Sequence, residues 1–356
     1  MDIAQQRLVN QRLAGPPLAT PAQVVDWLVA VQAQDYAGAK WGLGLRSPTA
    51  TDADVDAAFN AGAILRTHVL RPTWHFVAPA DIRWLLALTA PRVHAVNTGM
   101  YRKLDLDNAL FARSHDALTR ALAGGNQLTR EELGAALASA GIATDNGQRL
   151  AYLMMQAELD GLICSGARRG KQFTYALLAE QAPQARVLER EAALADLARR
   201  FFGSRGPASV ADLAKWSGLT VADVRRGLEE VKSELASMVV DGQTLWFSAS
   251  ASPVNTQAPT AYLLSIYDEY VSSYKDRRAM VADQVAARLW EIGNGLSYII
   301  VVDGQIVGTA KRTISQRAVV ITTELLTKLT DAQHEAVTFA TQRYGSFLGL
   351  PVALSP

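Results

Sequence analysis

An α+β protein in which one small unit is repeated three times ahead of a curled sheet is what this sequence predicts. Three observations predict it. The order helix, turn, helix, hairpin occurs three times, the composition changes abruptly at residues 248–260, and short strands with tight turns follow that change. The length of 356 residues suits several modules of roughly 100 residues each rather than one core. With 49% hydrophobic and 19% charged residues, the composition is that of a folded globular protein and excludes a disordered chain.

The first unit begins at Thr20-Pro21-Ala22-Gln23: threonine as cap, proline with its φ already set for a first helical turn, and glutamine three residues on to close a capping box. Val24, Val25, Leu28 and Val31 recur at helical spacing, so this helix is expected to run to Val31 and end beside Gln32. Gly38, Gly42 and Gly44 then predict a glycine-rich turn. Thr51-Asp52-Ala53-Asp54 opens a second helix with Val55, Ala58 and Phe59 inside, and residues 63–70 and 73–77 read as strands around Arg71-Pro72.

The second unit has a capped helix from Thr129 to Leu137, a turn at Gly141, a longer helix from Asn146 to Leu159, and a hairpin of residues 162–165 and 172–177. In the third, a helix holding Val210, Leu213 and Trp216 turns at Gly218, and Thr220 starts another that reaches about Leu235. The unit closes with a hairpin over residues 238–247, whose Asp241-Gly242 turn is a strong hairpin signal. Helix, helix and wing in this order predict three tandem winged-helix modules, at 1–114, 115–185 and 186–250. Beyond a linker poor in periodicity, residues 251–356 are expected to form a small C-terminal β-barrel-like domain. Its strands fall at 261–266, 296–302, 305–312 and 318–322, with an Asp303-Gly304 turn and a helix over 331–344.

One cysteine, Cys164, excludes an internal disulfide and any multi-cysteine zinc site. The first residues lack the pattern of a signal peptide, and no apolar run reaches the ~20 residues of a membrane span. The expectation is a soluble monomer of the cytoplasm, associated with the nucleoid. A net charge of +1 excludes an indiscriminate nucleic-acid binder. Between Arg66 and Arg113, however, seven Lys or Arg residues stand against three Asp, a local balance of +4 that suits an anionic partner on one face and equally an ordinary solvated surface.

The cationic candidates cluster. Arg66 and Arg71 belong to the first hairpin, Arg168, Arg169 and Lys171 make a basic tip on the second, and Lys311, Arg312 and Arg317 flank a turn near the C-terminus. The second group is expected to act as a wing tip on the DNA backbone, and the last to lie against phosphates or enter a minor groove. The C-terminal group reads equally well as an edge guarded by charge against aggregation. The third unit, with Glu229, Glu230 and Glu234 beside Arg225 and Arg226, reads as a packing module.

Gln32 and Gln34 flank Ala33 at the expected helix exit. An amide neither titrates near neutral pH nor abstracts a proton, but it donates and accepts hydrogen bonds and so can orient a water. Such a pair serves only reactions whose leaving group already departs easily; otherwise it is a surface feature of a helix end. Phosphate loops, dinucleotide fingerprints, His-Glu-x-x-His and Gly-x-Ser-x-Gly motifs are all missing from the sequence. His68 and His75 lie on adjacent expected strands without a third ligand, so neither a metal nor a cofactor is expected.

Val31-Gln32-Ala33-Gln34, followed by Asp35-Tyr36 and Trp41-Gly42-Leu43, resembles the Gln-x-Gln motif of the AlkZ-type DNA glycosylases, bacterial winged-helix proteins related to the YcaQ family. Residues 68–77, residues 263–278 with Tyr-Asp-Glu-Tyr and Tyr-Lys-Asp-Arg, and residues 301–308 resemble that family too. The resemblance implies a monofunctional glycosylase that hydrolyses the N-glycosidic bond of alkylated purines in double-stranded DNA, N7-alkylguanine among them, and that in some members unhooks interstrand crosslinks. It makes Gln32 and Gln34 the residues that position water. Tyr36, Trp41, His75 and Asp268 become candidates for lining the substrate cleft, and Lys275 and Arg277 join the DNA-binding set. The rival reading is a non-catalytic winged-helix DNA-binding protein or transcription regulator.

Overall fold

The computed structural model describes residues 2–144, 146–249, 258–293 and 298–355. Residues 250–257 of the expected linker and residues 296–297 of the expected strand lie outside the described residues.

The chain opens with α1 (Ile3–Asn10), α2 (Pro21–Leu28), β1 (Ala30–Gln32), α3 (Tyr36–Arg46), α4 (Asp52–Asn60) and the hairpin β2 (Leu65–His68) and β3 (Trp74–Val77), followed by the long α5 (Ile82–Lys103). Next come α6 (Asn108–Leu122), β4 (Leu128–Thr129), α7 (Arg130–Ser139), α8 (Gly147–Leu159), β5 (Ile163–Ser165), β6 (Thr174–Leu177) and the short α9 (Leu178–Gln181). A third set comprises α10 (Arg190–Arg205), α11 (Val210–Ser217), α12 (Val221–Val231), β7 (Leu235–Val240) and β8 (Gln243–Ser248). The C-terminal part holds β9 (Ala261–Ser265), α13 (Glu269–Ser272), α14 (Asp283–Ile292), β10 (Tyr298–Val302), β11 (Gln305–Ile314), β12 (Val319–Leu325), α15 (Asp331–Leu348) and β13 (Val352–Ser355).

One unit is visible three times: a leading helix, a short strand, two helices and a hairpin. The first sheet has the order β1-β3-β2 and the second the order β4-β6-β5, so in both the last strand lies in the middle. In the third copy β8 holds the same place, between β7 and a single bridge from Ala208 to Trp246. The expected capping boxes form at Thr20 with Gln23, Thr51 with Asp54 and Thr129 with Glu132. In the Asp241-Gly242 and Asp303-Gly304 turns both residues have positive φ, as tight hairpins require.

Two expectations in the first copy are corrected. Helix α2 stops at Leu28 instead of Val31, because Val29 takes φ +66° and redirects the chain into β1. The glycine-rich stretch expected to be a turn is helix α3, capped by Asp35. Its glycines serve close packing: a Cβ at Gly38 would lie 2.6 Å from Ser265 Oγ, and one at Gly44 2.5 Å from the Phe347 ring. The two helices ahead of the first hairpin are therefore α3 and α4, with α2 in the leading position that α6 and α10 occupy in the later copies.

The C-terminal sheet runs β13-β12-β11-β10-β9, antiparallel except for the β12/β13 pair, with α15 packed against β9 and β10. Its apolar face joins the first and third copies in one buried core, whereas the second copy has its own core around Leu118, Leu137, Leu153 and Leu177. Among the described residues no helix is long and apolar enough to cross a membrane.

Candidate functional site

The first sheet brings the two stretches singled out in the sequence together. Gln32 lies opposite His75, and His75 opposite Thr67 on the other side. Directly paired residues of an antiparallel ladder share a face, so Gln32, His75 and Thr67 form one cross-strand row. Beyond Gln32 the chain leaves the sheet: Ala33 still bonds Trp74 O through its N–H, Gln34 stands exposed, and Asp35 caps α3. The carboxamide of Gln34 has no hydrogen-bond partner among the described residues, while that of Gln32, only 9% exposed, accepts from Arg71 Nη2 at 3.1 Å.

Behind Gln32 sits a buried carboxylate. Glu269 Oε1 accepts from the Gln32 N–H at 2.9 Å, and Oε2 accepts from Arg205 Nη2 and Trp216 Nε1 at 2.8 Å and from Ser273 Oγ at 3.0 Å. Burial pushes the Glu269 carboxyl up, but the adjoining Arg205 charge and these hydrogen bonds outweigh it and hold the pKa at about 2. Arg205 is itself fully buried, stacked over the Trp216 ring at 4.3 Å. Burial and the nearby Arg71 charge depress His75 to about 3, so its imidazole is neutral. With Nδ1 2.9 Å from Thr73 O, the proton belongs on Nδ1 and leaves Nε2 an acceptor. Neither His75 nor Glu269 exchanges a proton near neutral pH, so the two amides suit the orientation of water more than acid–base work.

The second copy closes over the exit of this motif. Arg66, tied to Ala33 O at 3.1 Å, is sandwiched between Trp74 and Phe173. Tyr36 donates to Asp56 at 2.7 Å and meets Phe173 edge-on at 5.0 Å, with Arg168 above its ring. An open cleft of about 660 Å³ follows, lined by Arg66, Trp74, Arg130, Lys171, Phe173 and Tyr175. A hollow of similar size against α15, at Phe339 and Arg343, holds none of the motif's neighbours.

The remaining candidates divide. Trp41 is buried between Tyr344 and Phe347 and donates to Leu263 O at 2.6 Å, so it anchors α3 to the C-terminal sheet and does not line the cleft. Asp268 is buried in a bidentate pair with Arg46 at 2.8 and 2.9 Å. The Arg71 guanidinium is engaged inward, on Gln32 and on the carbonyls of Lys215 and Trp216. Arg169 is held by Glu132 at 2.7 Å, and Arg312 lies over Tyr298 and Tyr344. Lys171, Lys275, Arg277, Lys311 and Arg317 are exposed. Lys215 belongs with them: burial and the Arg277 and Arg71 charges lower its pKa to about 8, and its ammonium donates to Ser272 O.

Glu269, Arg205, Trp216 and Lys215 were not among the residues expected at the site. They come from segments far apart in sequence, and only Glu269, inside Tyr-Asp-Glu-Tyr, lay in a stretch already marked. Among the described residues no group of three or more His, Cys, Asp or Glu side chains is placed to hold a metal ion.

A family model described as AlkZ-like DNA glycosylase matches residues 25–347. A curated relative, the interstrand DNA cross-link repair glycosylase of Streptomyces sahachiroi, is 25% identical over 321 residues, 85% of each chain. The solved structure of the Streptomyces sahachiroi DNA glycosylase AlkZ shares the fold with a TM-score of 0.79 at 20% identity, covering 99% of this chain and 98% of that one.

Proposed function

The chain belongs to the AlkZ-like DNA glycosylases and is a DNA repair glycosylase; from that premise we propose that it hydrolyses the N-glycosidic bond of N7-alkylated purines with a water held between Gln32 and Gln34. Alkylation at N7 puts positive charge on the base and weakens the glycosidic bond, so the base leaves without strong acid catalysis. What the protein must add is a positioned water at C1′ and a field that tolerates an oxocarbenium-like state. Two carboxamides supply the first. The buried Glu269 carboxylate, paired with Arg205, supports the first by fixing the Gln32 backbone through its N–H.

The observation that carries the reading is the contrast within the motif: Gln32 is gripped from behind, while Gln34 stands exposed, and Arg66, which holds the carbonyl of the intervening Ala33, lines an open aromatic and cationic cleft. In this reading the repeats act as winged helices, with the second wing, through Arg168, Arg169 and Lys171, on one flank of the DNA. The hairpin of Lys311, Arg312 and Arg317 takes another, and Lys275, Arg277 and Lys215 meet phosphates. An open cleft admits a base that cannot be flipped fully out of the duplex. That suits the interstrand crosslinks named for the Streptomyces sahachiroi relative.

The test is incubation of the protein with duplexes containing N7-methylguanine and with unmodified duplexes. Abasic sites accumulate only in the first, and strands break only after later alkali treatment, as for a monofunctional enzyme. Tight binding without base release contradicts the proposal.

A further inference from the structure

The row of Gln32, His75 and Thr67 contains an imbalance. Arg71 carries only donors, so the atom of the Gln32 carboxamide that faces it at 3.1 Å is the oxygen, and the amide orientation is fixed by chemistry. The NH2 group then points away from Arg71 and has no partner among the described residues. Across the ladder, His75 Nε2 is a fully buried acceptor, likewise without a partner, and Thr67 Oγ1 beside it is in the same state. A buried acceptor left unpaired costs about 1–3 kcal/mol, so His75 Nε2 and the free NH2 of Gln32 on the facing rung are expected to meet, directly or through one water.

Arg71 is equally constrained. It follows Leu70, whose φ is +65°, and the turn is seated on the C-terminal end of α11, where a Cβ at Gly218 would lie 2.5 Å from Leu70 O. The guanidinium donates to the carbonyls of Lys215 and Trp216 at that helix end, where the helix dipole favours a cation. This tip of the first hairpin is therefore turned inward, onto the third copy.

We propose that Arg71 and His75 are positioning residues that hold the Gln32 carboxamide from two sides, the guanidinium on its oxygen and the imidazole Nε2 on its NH2. The inference rests on the proposed role of Gln32. It assigns Arg71 to orienting the catalytic amide and removes it from the DNA backbone. The consequence is a division of labour: Gln32 presents one fixed edge to the water, and Gln34, unconstrained, completes the site when substrate arrives.

The test is a double-mutant cycle read in single-turnover release of N7-methylguanine, with DNA affinity and melting temperature measured on each variant. Arg71→Ala and His75→Ala each slow release about tenfold with Kd changed less than twofold. In the Gln32→Ala background neither slows it further, because the group they orient is gone. His75→Gln, which keeps an acceptor, recovers part of the rate, as does Arg71→Lys. Additive losses in the cycle, or a weakened Kd without a rate effect for Arg71→Ala, overturn the proposal and return Arg71 to the scaffold or to the DNA. Should an Ala variant fail to fold, Arg71→Lys and His75→Gln carry the cycle. A Gln32→Ala protein that excises at the wild-type rate defeats the underlying catalytic reading instead, so the two failures are distinguishable.

Discussion

The junction between the short strand and the helix that follows is built three times in this protein, and only once does it carry more residues than a strand end and a cap. In the second copy β4 ends at Thr129, which caps α7 at once; in the third Ala208 is followed directly by Ser209, the cap of α11. In the first copy Ala33 and Gln34 intervene between the end of β1 and the cap Asp35. The scaffold requires a strand end and a cap, and two of the copies show that it requires nothing else. Residues added beyond that need, one of them an exposed amide, are where functional chemistry is expected on a rigid frame.

The comparison can be strained at several points. The largest effect is expected behind the first junction. Glu269→Gln breaks a buried pair with Arg205 and loses about 3 kcal/mol of stability, read from the denaturation midpoint. The Glu269 pKa is depressed from 4.5 to about 2, so its contribution is complete above pH 4.5 and is lost as pH falls toward 2. The variant's stability should vary less over that window.

Next come the plain junctions: Thr129→Ala and Ser209→Ala each remove a cap and cost about 1 kcal/mol in the same measurement, with excision unchanged. Third, Lys171→Ala weakens DNA binding a few-fold and lowers the magnitude of the salt-dependence slope by about 1, with no effect on folding. The smallest effect is an expected null. Because His75 is neutral down to about pH 3, it introduces no break in the excision rate near pH 6.5, and a rate profile that follows an imidazole there would contradict the site geometry.

Much of the architecture was legible because it is written in local signals. Capping boxes at Thr20, Thr51 and Thr129 and the Asp-Gly turns at 241 and 303 depend on neighbours within a few residues. What failed was the region around the motif. Val31 continues a helical stripe, yet Val29 has φ +66° and the chain becomes a strand there, a choice made by β3 on the other side of the ladder. The glycines of α3 look like turn residues because the reason for them, Ser265 and Phe347 pressed against the helix, lies more than two hundred residues away. The environment of Gln32 was hidden for the same reason: Glu269 lay in a marked stretch without being singled out, and Arg205 and Trp216, which hold it from other segments, carry no mark in their own.

The central claim, that the inserted amide is catalytic and not structural, is tested most directly by Gln34→Ala, with melting temperature and single-turnover release of N7-methylguanine measured on the same preparation. The account predicts unchanged melting, since the exposed side chain has no hydrogen-bond partner among the described residues, together with at least a tenfold slower release, about 1.4 kcal/mol in the barrier. Release at the wild-type rate from a protein that melts normally would contradict it.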